Sequence, residues 1–129
     1  MKKFENFCRA FRNLLIIRDA KEPYDILTMT GGVALFEICF EQAWKAMKDI
    51  LTDQGYSAAQ NGSPRQILKL AYSAGMIQNE EKWLAMLASR NEVSHSYNEQ
   101  IALGLLRVIK ADYIGMFEEL KAELEGKWL

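Results

Sequence analysis

The chain has one histidine, two cysteines and two prolines in 129 residues, and these scarcities exclude whole classes of chemistry. With a single histidine and no spaced cysteine or acidic set beside it, no zinc or other metal site is written into the sequence. Cys8 and Cys39 sit inside apolar helical patterns without partner spacing, so both are expected to be buried free thiols rather than a bridge. Charge of one sign is also lacking: the net charge is -1 and the pI about 5.9, so no global field draws a polyanion and any RNA contact must be local. No window approaches about 18 uninterrupted apolar residues, and the Met1-Lys2-Lys3-Phe4-Glu5 start has no signal-peptide block, which predicts a cytoplasmic protein. Gly-rich phosphate loops, glycine-serine nucleophile elbows and paired-aspartate patterns are missing too, the last excluding a nucleotidyltransferase in its own right.

Period-two alternation is absent as well, and what is there is helical. Phe4, Phe7, Cys8, Phe11, Leu14 and Leu15 share one face of a helix over residues 2 to 18. A long second helix, from Thr28 to Asp53 with Asp25 or Thr28 as its cap, turns Phe36, Phe40, Ala43, Trp44, Met47 and Leu51 inward and sets Glu41 and Lys45 as a surface pair. Gly31-Gly32 weakens its first turns, with no reason visible in the sequence. Residues 54 to 62 read as a loop. Ser63-Pro64-Arg65-Gln66 is a capping box opening a short helix to Ser73, which Gly75 stops in a left-handed turn. Asn79-Glu80-Glu81 starts the next helix and Asn98-Glu99 the last, whose inward residues run from Ile101 to Leu124. With no repeat, low-complexity tract or linker, residues 1–129 form one all-α domain, an up-and-down antiparallel four-helix bundle with one additional short helix.

The chemistry gathers in Arg90-Asn91-Glu92-Val93-Ser94-His95-Ser96-Tyr97. Leu84, Ala88, Asn91 and His95 form one stripe, and Trp83, Leu87, Arg90 and Ser94 the next; both begin apolar and end polar, which points to a hydrogen-bonded cluster or a wet pocket on the inward face. Cleavage of RNA needs a base for the ribose 2′-hydroxyl and a fixed cation for the charge growing on phosphate. His95, of a type with an ordinary pKa of about 6.5, suits the first task. Arg90 suits the second, because a guanidinium grips phosphate through two donors. Five residues turn an ideal helix by about 140°, so Arg90 and His95 converge only where the helix distorts or ends, whereas Asn91 and His95 share a face. The blander reading is a histidine favoured by a helix C-terminus, with Arg90 and Asn91 bonding free carbonyls.

Arg90-x4-His95-x-Tyr97 resembles the signature of HEPN domains, above all the small ones encoded beside a minimal nucleotidyltransferase and known as nucleotidyltransferase substrate-binding proteins. Phe36-Glu37, Phe40-Glu41, Ala43-Trp44-Lys45, Ser63-Pro64-Arg65, Ala74-Gly75-Met76-Ile77 and Trp83-Leu84 follow that family's order, so the resemblance spans about residues 1 to 125, with Gly31-Gly32 as the departure. It implies a homodimer whose motifs line a shared cleft, and RNA cleavage without metal or cofactor: His95 as acid-base, Arg90 as phosphate clamp, Asn91 as orienting group. It also implies a separate nucleotidyltransferase partner acting as antitoxin, which in some systems transfers AMP to the motif tyrosine, here Tyr97. The function expected on this basis is a ribonuclease toxin silenced by that partner; the alternative is a non-catalytic subunit that binds nucleotide or substrate for the transferase. RNA or nucleotide is the expected ligand, and neither DNA nor a membrane is.

Overall fold

The structure, a computed structural model, describes Met1–Leu129. Helix α1 (Lys2–Leu14) tightens into a 3-10 turn over Leu15–Asp19. After the connection through Pro23, α2 (Ile26–Asp53) runs for 28 residues, about 42 Å at 1.5 Å per residue. It starts two residues earlier than its periodicity suggests because Asp25, not Thr28, is the cap: its carboxylate accepts from the Thr28 N–H at 2.7 Å. That bond holds the Asp25 carboxyl below its ordinary range. Then come α3 (Pro64–Ser73) and α4 (Glu80–His95). The last helix is composite, α5 (Glu99–Val108) passing through a π turn, Ile109–Tyr113, into α6 (Ile114–Glu123) and a second π turn, Leu124–Trp128. No strand is present.

The local signals behave as their chemistry requires. Ser63 and Gln66 exchange the two bonds of a capping box, worth about 1 kcal/mol against alanine at the cap. Asn79 accepts from Lys82 N–H and Asn98 from Ile101 N–H, closing the starts of α4 and α5. Gly75 takes φ +82°, the left-handed stop after α3. The loop at 54–62 contains one 3-10 turn, Ser57–Ala59, whose Ala59 is buried.

α2 is the spine, packing against α1, α3, α4 and α5. By length and composition alone it could cross a membrane, but Phe36, Phe40, Met47 and Leu51 are its contribution to the core. Around them, Phe7 and Phe11 of α1 meet Phe117 of α6 at 6.0 and 6.2 Å between ring centroids. Trp83 of α4 adds its edge to Phe117 at 5.8 Å, and Phe36 stacks on Tyr113 at 5.6 Å. One thiol departs from expectation: Cys39 is buried and its pKa pushed well up by desolvation, but Cys8 is only half-buried, because it lies at the edge of the apolar face of α1.

The α1–α2 connection is tied to α5 by charge. Arg107 grips both carboxylate oxygens of Glu22, the closest contact being 2.6 Å, and this hydrogen bonding holds the Glu22 carboxyl below its usual range. From the following π turn, Lys110 donates to the Ala20 carbonyl and, at 3.1 Å, to the Tyr24 hydroxyl.

Candidate functional site

α2 and α4 run antiparallel, and two polar rungs join them. Ser94 Oγ donates to Glu37 Oε2 at 2.8 Å, and Arg90 Nη1 donates to Glu41 Oε2 at 3.3 Å. The spacing is four residues on each helix, so both rungs fall on facing stripes. Glu41 is the hub: the same oxygen accepts from Trp44 Nε1 at 3.1 Å, while Lys45 Nζ lies 3.3 Å from Oε1. The surface pair Glu41–Lys45 is thus real, but Glu41 also faces α4. Arg90 stacks over the Phe40 ring, 5.5 Å from its centroid, and only 24% of its side chain is exposed. Its Nε is buried with no partner.

The inward face of α4 differs from the sequence-based assignment. Trp83, Met86, Leu87 and Val93 are buried with Arg90 half-buried among them, whereas Ala88, Asn91 and His95 are exposed. The stripe through Leu84, Ala88, Asn91 and His95 is therefore a flank that leaves the core after Leu84, not an inward face. The reason is packing: Met86 and Val93 supply the apolar volume between Trp83 and Arg90, and that rotates Asn91 and His95 to solvent.

These positions bring some of the motif together and not the rest. α4 is regular through His95, with Ser96 N–H bonding to the Glu92 carbonyl at 2.8 Å, so it neither ends nor distorts between Arg90 and His95. Within one chain the guanidinium points to α2 and the imidazole to solvent. Asn91 lies on the flank of His95, and Tyr97, 46% exposed, follows in the connection to α5. Two acidic residues, Glu37 and Glu41, complete the arrangement; the sequence placed them in the α2 pattern, and Glu41 in a surface pair, but not as partners of Ser94 and Arg90, and their four-residue spacing on α2, matching that of Arg90 and Ser94, was the signal that could have found that role. Glu37, Glu41, Lys45 and Arg90 sum to zero charge, so a phosphate gains from Arg90 only as Glu41 releases it. The site can thus present an accessible acid-base group and a hydroxyl-bearing aromatic beside a guanidinium held in reserve.

The fold is that of a small all-α helical domain, with His95 exposed at the end of one helix and Arg90 held by a carboxylate of another. The chain belongs, over residues 2–126, to the family described as nucleotidyltransferase substrate binding protein like. Among solved structures, it is similar to a Thermus thermophilus protein (24% identity, 92% of this chain and 98% of that one, TM-score 0.79). A Haemophilus influenzae protein with the fold of a substrate binding domain of a nucleotidyltransferase matches equally well (24% identity, 95% and 98% covered, TM-score 0.79). A tri-AMPylated Shewanella oneidensis HEPN toxin, in complex with its MNT antitoxin, shares the fold at 17% identity (98% and 96% covered, TM-score 0.76). No curated protein matches the chain.

Proposed function

We propose that this protein is the HEPN-type subunit of a two-component system with a separate nucleotidyltransferase, and that it is a metal-independent endoribonuclease toxin which that partner neutralises. The observation that carries the reading is the joint exposure of Asn91, His95 and Tyr97 at one end of α4, with Arg90 one turn behind. His95 takes the 2′-hydroxyl proton and returns it to the leaving 5′-oxygen; Arg90, drawn from Glu41, neutralises the phosphate in the transition state. Asn91 orients the imidazole.

One chain keeps Arg90 and His95 on different sides of α4, so the reaction calls for a second copy. A fitting surface lies beside the motif: Leu27 is 79% exposed and Ile38 53%, with half-buried Gly31 and exposed Ala34 between them on the outer face of α2. Nothing lies within 4 Å of a Cβ built on Gly31, so another helix can approach closely there. The Ser94–Glu37 rung sets the end of α4 alongside this stretch, and a two-fold pairing through it sets two copies of His95 near one axis. Nucleotidylation of Tyr97 by the partner then adds negative charge and bulk at the cleft and blocks RNA entry.

Purified protein incubated with RNA in EDTA is expected to cleave it, and His95→Ala to abolish cleavage; inertness of the wild type on several RNAs overturns the ribonuclease assignment. Ile38→Glu is expected to shift the protein to a monomer on size exclusion. The second reading, a non-catalytic subunit binding nucleotide or substrate for the transferase, draws support from the ion pair that already neutralises Arg90. It gains if expression alone leaves growth unaffected while the protein co-elutes with the transferase.

A further inference from the structure

We propose that the cleft between the α1–α2 connection and the start of α5 seats a nucleobase bearing an exocyclic amino group. The cleft has a volume of about 270 Å³. Pro23, Tyr24, Met29 and Leu103 line it with apolar surface, and Glu99 and Gln100 are polar residues of the same lining. A flat heteroaromatic ring is the ligand shape that apolar walls of this kind take up, with an aromatic side chain and a polarizable thioether among them. The polar groups choose which ring. Glu99 offers only acceptors, so it pairs with the amino group of adenine, cytosine or guanine and repels the carbonyl edge of uracil, while the Gln100 amide can donate or accept and turns to suit the ring. Glu22, also in the lining, is taken up by Arg107, which leaves Glu99 as the free carboxylate of the cleft.

The wall is held before any ligand arrives. Arg107 fixes Glu22, and the Lys110 ammonium fixes Tyr24, donating to its hydroxyl and lying 5.4 Å from its ring centroid. A wall already ordered loses little freedom on binding. Tyr97 is two residues before Glu99, so their Cα atoms are separated by at most about 7.6 Å. A base belonging to a nucleotide joined to the Tyr97 hydroxyl, or to an RNA strand lying across the end of α4, is therefore within reach of the cleft. That delivery rests on the function proposed above; the cleft's preference for an amino-bearing base does not.

The test is nucleoside binding to the wild-type protein, followed by methionine-methyl NMR with Met29 assigned through Met29→Leu. Adenosine and cytidine are expected to shift the Met29 methyl saturably and uridine to leave it in place. Leu103→Trp, which fills the cleft, is expected to weaken the adenosine effect at least about tenfold. Should Leu103→Trp not fold, Glu99→Gln serves, with a loss of discrimination against uridine as its expected result. An unmoved Met29 methyl at saturating adenosine, or an equal response to uridine, overturns the proposal whether or not the protein cleaves RNA. Two further samples identify the source of the base: a Met29 shift in nucleotidylated protein with no added nucleoside marks the Tyr97-linked nucleotide, and one caused by oligoadenylate in unmodified protein marks the strand. If neither sample moves Met29 while free adenosine does, the delivery route falls and the base site stands.

Discussion

The two halves of α4 are built from the same backbone and put to opposite uses. In the first, Trp83, Met86 and Leu87 are buried in the common core and Trp83 meets Phe117 edge-on. In the second, Arg90 and Ser94 reach α2 through Glu41 and Glu37, and Asn91 and His95 reach only solvent. The apolar half is held by burial, which is non-directional and large; the polar half by one buried side chain, Val93, and a few directional bonds in wetter surroundings, each worth about 1 kcal/mol net. Burial and polar exposure are thereby separated along one helix, so the end that carries the candidate site contributes less to the fold than the other.

That separation can be broken from the apolar end first. Trp83→Ala removes a side chain that is 3% exposed and is expected to destabilise by about 3 to 5 kcal/mol, read as the shift of a urea unfolding midpoint. Arg90→Ala leaves Glu41 still bonded to Trp44 and Lys45, so the loss is expected to be smaller, about 1 to 2 kcal/mol in the same measurement. A loss as large as that of Trp83→Ala would make Arg90 a core residue in all but name. Ser94→Ala gives up one exposed hydrogen bond and is expected to lower stability by about 0.5 kcal/mol. His95→Ala should leave the unfolding curve within about 0.5 kcal/mol of wild type, because the side chain is exposed, while removing RNA cleavage. A destabilised His95→Ala would mean that the imidazole is structural and that the contrast between the halves fails.

Acid sharpens the picture elsewhere in the bundle. The carboxyls of Asp25 and Glu22 are held below their ordinary range, by the Thr28 N–H and by Arg107. Each therefore contributes stability that is present above its unfolded pKa and is lost as pH falls through its lower, folded value. Asp25→Ala is expected to flatten the decline in stability below about pH 4, followed by circular dichroism.

Much of the fold was legible. The caps at Ser63, Asn79 and Asn98 and the stop at Gly75 are local chemistry, written within three or four residues, and each behaves as its residue type requires. The apolar faces of α1 and α2 follow from helical periodicity because they are broad and unmixed. α4 was harder, since a polar residue on an inward face looks like a residue on an outward one until its partner is known. The partner of Arg90 lies 49 residues away on another helix.

Gly31-Gly32 shows the same division. Spacing says only that two glycines weaken the start of α2. The packed molecule separates them: a Cβ on Gly32 would come within 3.0 Å of Ile17 and 3.2 Å of Leu106, while one on Gly31 would meet nothing. The sequence by itself determined the helices, their ends and the residues able to do chemistry, because caps and periodicity act between near neighbours. Only the tertiary structure decided which side of α4 faces the core, that Glu41 holds Arg90 away from His95, and why Gly32 has no side chain, because each of these depends on a contact between helices distant in the chain.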